Sequence, residues 1–224
     1  GCVWGDSMTT LQFDEWQDNG GTPVLRINAG ALEVWDGAAW TSPGVGTLEA
    51  SGGTEVTSGG YKYHTFTSSG TLTVTKAGLC EVLVISGGGG GAQGGAGGRG
   101  GGGGGGGAPI NFSGVYLSAD SHTVTVGAGG APGNYPTQAP SGNKSIIGVV
   151  EAPGGGGGGG RQVPGSGGAC GGGSGDRGGP GTVLPGYGFA GGANISITNA
   201  GGGGGGWLDA GSPPISGTGG AGGD

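Results

Sequence analysis

The chain has 224 residues, of which 71 are glycine, while only 9% are charged and 6% are aromatic. Because large side chains are so few, an ordinary hydrophobic core is excluded for much of the chain. The formal net charge of -7 argues against nucleic acid and against an anionic membrane surface, because phosphate binding needs clustered cations. The cationic residues of the glycine-rich part stand singly in the sequence: Arg99, Lys144, Arg161 and Arg177.

Glycine is distributed unevenly, and its distribution divides the chain. Residues 1–86 hold 14 glycines, which leaves 71 − 14 = 57 for residues 87–224. We therefore expect three parts: an N-terminal β meander for assembly or attachment (1–46), a β region (47–86) and a glycine-rich region with exposed loops (87–224).

The first part predicts a small β meander. Residues 23–41 read PVLRIN, AG, ALEVW, DG, AAW, and Asp36-Gly37 between apolar runs predicts a two-residue hairpin turn. Strands this short bury little surface alone. We therefore predict that Trp16, Trp35 and Trp40 form an assembly interface between copies of the chain, most simply in a homotrimer.

Residues 54–86 predict four further strands. The dipeptides Gly59-Gly60, Ser69-Gly70 and Ala77-Gly78 separate runs rich in Thr, Val and Tyr. The segment LCEVLVIS (79–86) is almost continuously apolar, which is typical of a strand covered on both faces.

Beyond Ser86, pure glycine runs alternate with strand-like phrases. The runs are 87–91, 100–107, 154–160 and 201–206. The phrases between them are NFSGVYLS (111–118), HTVTVGAGG (122–130), KSIIGVV (144–150) and NISITN (194–199).

Ordering a glycine run is entropically expensive, at about 1–2 kcal/mol or more per residue. A left-handed extended helix with about three residues per turn can offset this cost, because its N–H and C=O groups point sideways and can hydrogen-bond to neighbouring helices. The alternation predicts an all-β fold with a polyglycine II helix bundle.

A flexible linker is the alternative to this bundle. Collagen is excluded because glycine does not recur at every third position, and a calcium-binding β-roll because GGSGDRGG (172–179) occurs once.

The cysteines are Cys2, Cys80 and Cys170, an odd number without a CxxC pair, so neither a disulfide framework nor a zinc site is indicated. We predict no metal and no cofactor. The sequence also lacks an apolar run of about 18 residues that would insert in a membrane.

The phrases TEVTSGGYKYHTFTSSGTLTVTKAGLCEVLVISGGGGGA, HTVTVGAGG and APGGGGGGG occur in that order. Over about residues 50–160 this set resembles the glycine-rich domain of bacteriophage tail-fibre and tail-tip proteins. The glycine architecture is also similar to that of the adhesins at the tips of T-even-type phage long tail fibres. In those adhesins, polyglycine helices stack and the loops at their far end contact the host surface.

This resemblance implies exposed loops at 131–143, 161–169, 182–190 and 207–216. The receptor-binding residues predicted in them are Asn134, Tyr135, Arg161, Tyr187, Phe189 and Trp207. Aromatic faces stack on sugars or anchor protein interfaces. The alternative for the aromatic residues is that they cover the ends of the bundle, and for Arg161 and Arg177 that they are solvated surface charges.

The sequence predicts a binding and structural protein and not an enzyme. His64 and His122 lie in β runs, and neither a nucleophile elbow nor a phosphate-binding loop occurs. We expect a virion fibre or adhesin component, assembled in the host cytoplasm, whose partners are a host-surface polysaccharide or outer-membrane protein and other virion proteins. The alternatives are a fibre or capsid decoration without a receptor role, an ice-binding protein, a disordered linker or a polysaccharide hydrolase.

Overall fold

The computed structural model describes residues 48–97, 99–194, 199–215 and 217–224, together with the backbone of four earlier strands. In these residues the protein is all-β, as the sequence predicted, with antiparallel sheets and no α-helix. The strands are β1 (Glu15–Gln17), β2 (Pro23–Asn28), β3 (Ala31–Trp35), β4 (Trp40–Thr41), β5 (Glu49–Ser51), β6 (Thr54–Ser58), β7 (Tyr61–Thr65), β8 (Gly70–Lys76), β9 (Gly78–Ile85), β10 (Pro109–Leu117), β11 (Ser121–Thr125), β12 (Ser145–Ile147) and β13 (Val150–Ala152).

Strands β1 to β4 form the predicted antiparallel meander. Asn28 pairs with Ala31, which leaves a two-residue connection, but Trp35 pairs with Trp40. Four residues therefore separate the paired ends of β3 and β4, and the predicted two-residue turn at Asp36-Gly37 is wrong. The register between β3 and β4, and not the Asp-Gly dipeptide, sets the length of this connection.

The four strands predicted within residues 54–86 are confirmed as β6 to β9. Strands β6 and β7 form an exposed hairpin whose turn residues, Gly59 and Gly60, have φ angles of 59° and 82°. Positive φ at both positions is the geometry that favours glycine in a two-residue turn.

Three of the four phrases predicted beyond Ser86 contain strands. β10 covers residues 111–117 of NFSGVYLS, β11 covers residues 122–125 of HTVTVGAGG, and KSIIGVV supplies β12 and the start of β13. The fourth, NISITN, is largely outside the described residues, because 195–198 are not described.

A small apolar core lies where two antiparallel sheets meet. The five-stranded sheet has the order β13-β12-β11-β8-β5, and β9 pairs with β10 in a separate ladder. One cluster of the core is built around Leu72, Val74 and Leu117, and the other around Val82 and Val84. This core anchors the glycine-rich residues, because two glycine runs begin or end at β9 and β10.

The prediction that LCEVLVIS is covered on both faces is wrong. Side chains of β9 alternate between buried and exposed: Val82 and Val84 are buried, whereas Leu83 and Ile85 are 65% and 60% exposed. The physical reason is that β9 pairs with β10 in a two-stranded ladder and packs one face on the five-stranded sheet.

Backbone hydrogen bonds join the glycine runs side by side. The N–H groups of Gly155 and Gly158 donate to the carbonyls of Gly87 and Gly90, each at 2.9 Å. One residue further along the same run, the N–H groups of Gly156 and Gly159 donate to the carbonyls of Cys170 and Gly173, each at 2.8 Å. Successive residues of one run therefore bond to different neighbouring runs, and the direction repeats every third residue.

Candidate functional site

The glycine runs have two ends, which we call the strand-side end and the far end. At the strand-side end, where β9 stops and β10 starts, Ser86 N–H donates to the Ala108 carbonyl at 3.2 Å. Among the described residues, the far end includes 93–97, 99, 134–138, 161–163 and 176–178. It is joined by bonds such as Gln93 N–H to the Gly133 carbonyl and Asp176 N–H to the Gly100 carbonyl, both 3.1 Å long.

The six predicted receptor-binding residues lie at opposite ends. Asn134, Tyr135 and Arg161 belong to the far end, whereas Tyr187, Phe189 and Trp207 lie at the strand-side end. This placement follows from the backbone bonds, since Phe189 N–H donates to the Gly206 carbonyl at 3.0 Å. The arrangement implied by the resemblance, with all four loops at one end, is therefore wrong for this chain. Neighbouring runs in sequence are antiparallel, so successive connections alternate between the ends.

The predicted loops are also shorter than expected, because parts of them run along the bonded glycine segments. Ala139 N–H donates to the Gly158 carbonyl and Gly142 N–H to the Gly155 carbonyl, both at 2.8 Å. Only the residues around Tyr135 in the segment 131–143 are left to form an exposed connection.

Tyr135 is the centre of a side-chain cluster at the far end. Its ring packs against Gly95 so closely that a Cβ atom on this glycine would lie 2.3 Å from Tyr135 Cε2. Tyr135 N–H donates to Gln93 Oε1 at 3.3 Å. The guanidinium groups of Arg161 and Arg99 hydrogen-bond the phenol and lower the pKa of Tyr135, with Arg161 the larger influence.

Three of the four cations in the glycine-rich region gather at the far end. Arg99 and Arg161 meet at Tyr135, and Arg177 lies in the connection that follows Asp176. These cations stand singly in the sequence, and the packing of the glycine runs brings three of them to one end. The fourth, Lys144, lies elsewhere and pairs with Glu151 at 2.9 Å.

A buried carboxylate lies beneath the surface of the far end. Asp176 is 3% exposed, and its Oδ1 atom has no hydrogen-bond partner among the described residues. Its carbonyl accepts the N–H of Gln162 at 2.7 Å, which joins its connection to that of Arg161. A buried carboxylate with an unpartnered oxygen destabilises the fold.

We expect Asp176→Asn to raise the free energy of unfolding by about 1 kcal/mol, because the change removes a buried charge without changing the shape of the side chain. Urea denaturation of the two proteins measures the difference. A lower stability in the variant would contradict the expectation and would mean that the carboxylate has a stabilising partner.

The aromatic residues of the strand-side end face the β strands. Tyr187 and Trp207 line an open surface cavity of about 430 Å³ together with Pro109 and Asn111 of β10. Phe189 is 44% exposed and its carbonyl accepts the N–H of Gly171 at 3.0 Å. This placement suits the alternative role considered for these side chains, that of covering one end of the glycine runs.

The predicted assembly interface lies outside the described side chains. The backbone register places Trp16 opposite Leu25 and Trp35 opposite Trp40. The contact between copies that we predicted for the three tryptophans remains a prediction.

The remaining titratable residues form no catalytic constellation in the part of the chain that is described. His64 Nδ1 and His122 Nε2 contact the carbonyls of Gly52 and Ser118, both at 2.9 Å. Burial raises the pKa of the free thiols of Cys80 and Cys170. Among these residues no three His, Cys, Asp or Glu side chains gather as metal ligands. The same residues include no helix with the length and apolarity needed to cross a membrane.

A family model described as a glycine-rich domain matches residues 65–224, which is more than half of the chain. Searches of curated proteins and of solved structures gave no match.

Proposed function

The chain belongs to the glycine-rich domain family, and we propose that it is a fibre or adhesin component of a bacteriophage virion. In this proposal its glycine runs form a rigid polyglycine II bundle, and the connections at the far end bind the host surface. The host partner is a surface polysaccharide or an outer-membrane protein.

The observation that carries the proposal is the three-residue repeat of the lateral hydrogen bonds. Gly102 and Gly105 donate to the carbonyls of Gly159 and Gly156, while Gly103 and Gly106 donate to those of Gly202 and Gly205. An extended helix with about three residues per turn directs its N–H groups in this way. The bonds supply the cohesion that apolar side chains supply in other folds.

A scaffold bonded through its backbone suits the display of variable connections. Residues between the runs can change without removing the N–H and C=O groups that hold the runs together. At the far end the connections between the glycine runs carry aromatic, amide and cationic side chains. Binding would be non-covalent, and several copies per particle, as in a trimer, would add avidity. This role requires no catalysis and places the chain in the virion beside other virion proteins.

A structural fibre or decoration protein without a receptor role is the second candidate. The position of Tyr187 and Trp207 favours it, because both lie beside β10 and away from the far end. In that role the aromatic residues would contact a neighbouring virion protein.

We expect the purified chain to bind cells of the phage's bacterial host and to reduce phage adsorption when it is added first. The measurement is the number of unadsorbed particles as a function of protein concentration, with bovine serum albumin as the control. A folded protein that neither binds the cells nor changes adsorption would reject the receptor role and leave the structural one.

A further inference from the structure

We infer that Arg99, Tyr135 and Arg161 form a binding site for the carboxylate groups of an acidic polysaccharide. The inference deepens the proposed function and depends on it for its biological setting, because it names the chemical class of the host ligand. The three side chains come from three different connections, which the glycine runs bring together at the far end.

The backbone around the cluster is held from several sides. Gly95 N–H donates to the Arg99 carbonyl at 2.8 Å, which closes the turn that carries this arginine. On the other side, a Cβ atom on Gly160 would lie 2.0 Å from the Pro136 carbonyl oxygen, so the chain before Arg161 packs directly on the chain after Tyr135. The cluster is therefore built on bonded, close-packed backbone.

The positive charge of the cluster is not neutralised within the described residues. The ion pairs there involve Lys62, His64, Lys76 and Lys144, and none includes an arginine. Arg99 and Arg161 both lie near enough to the phenol to lower the pKa of Tyr135. Arg161 Nε is buried and has no hydrogen-bond partner in the part of the chain that the structure describes. Each guanidinium has five N–H donors, and apart from the buried Arg161 Nε–H and any donor that faces the phenol, these remain for an anion.

The acidic group at this end does not compete for the arginines. The Asp176 side chain is buried and forms no ion pair with them in the described residues. An external carboxylate is thus the missing counter-charge, and the planar guanidinium fork matches its two oxygens.

The side chain of Tyr135 points to a sugar as the carrier of the carboxylate. It is 38% exposed, and an aromatic ring with a polar tip provides an apolar surface next to hydrogen-bonding groups. Two arginines in a chain of net charge -7 suit a single carboxylate better than the dense phosphates of a nucleic acid.

The test is a calorimetric titration of the full chain with galacturonic acid oligosaccharides. We expect saturable binding by the wild type. In Arg99→Gln and in Arg161→Gln the affinity should fall by about tenfold or more, because each variant loses a charge-assisted hydrogen bond to the ligand. Lys144→Gln is the matched control, because it also removes one positive charge but at a position that lies outside the far end. It is expected to bind like the wild type.

Further ligands and a folding control make the titration decisive. Neutral maltose oligosaccharides are expected not to bind, and dextran sulfate is expected to bind more weakly than the galacturonate. Absence of galacturonate binding, equal binding by Arg161→Gln, or tighter binding of dextran sulfate would each overturn the inference. Thermal unfolding must be unchanged in the arginine variants, and Tyr135→Phe offers a second, milder variant if one of them unfolds.

The adsorption assay separates this inference from the proposed function. If the wild type reduces phage adsorption but does not bind galacturonate, the host-binding function stands and the carboxylate site is wrong. If the wild type binds galacturonate but not host cells, the site stands and the adhesin role is wrong.

Discussion

Replacing Gly104 with alanine is expected to lower the free energy of unfolding by about 3 kcal/mol, because the glycine runs have no room for a side chain there. A Cβ atom at this position would lie 2.1 Å from the Gly89 carbonyl oxygen. That atom is backbone and cannot move unless the two runs separate. Their separation would stretch the bond from Gly89 N–H to the Gly105 carbonyl, which is 2.8 Å long. Gly104→Val should be worse and unfold the glycine-rich region.

Gly106, two residues further along the same run, is the matched control. The nearest heavy atom to its hypothetical Cβ is Cys170 Sγ at 3.7 Å, an ordinary van der Waals distance. Neither glycine has a positive φ, so alanine can adopt both backbone conformations. We expect Gly106→Ala to change stability by no more than about 1 kcal/mol. Melts followed by circular dichroism compare the three proteins, and equal melting of Gly104→Ala and Gly106→Ala would contradict backbone packing as the source of cohesion.

The strands of the β region could be predicted because their ends are marked by local turn chemistry. Glycine at 59, 60, 70 and 78 separates β-branched and aromatic runs, and the strands β6 to β9 begin and end near these residues. The coverage of β9 could not be predicted in this way. A continuous apolar segment is compatible with one or two covered faces, and the number depends on a neighbouring layer that the segment itself does not encode.

The far-end cluster was only partly predictable. Tyr135 and Arg161 attract attention as large side chains among glycines, but Arg99 stands alone in a glycine-rich segment. No helical or strand period connects the three, because their proximity depends on the order in which the glycine runs pack. The sequence of a glycine run is nearly uniform and carries no register. For the same reason the alternation of connections between the two ends was missed.

Because one face of β9 is exposed, we expect a large difference in stability loss between replacing a buried leucine and replacing an exposed one. Leu72 of β8 is 5% exposed in the core, whereas Leu83 of β9 is 65% exposed. Leu72→Ala should lower the free energy of unfolding by about 2–5 kcal/mol, because it removes buried methyl groups and leaves a cavity. Leu83→Ala should change it by less than about 0.5 kcal/mol, as is usual for surface positions.

Urea denaturation of the two variants at low protein concentration measures this contrast. A loss of several kcal/mol in Leu83→Ala would mean that this face of β9 is covered in solution, most simply by another copy of the chain. Stability that depends on protein concentration in the wild type, and not in Leu83→Ala, would identify such a copy. Without this dependence, the two leucines report only the one-sided core, in which β9 contributes Val82 and Val84 and leaves its other face to solvent.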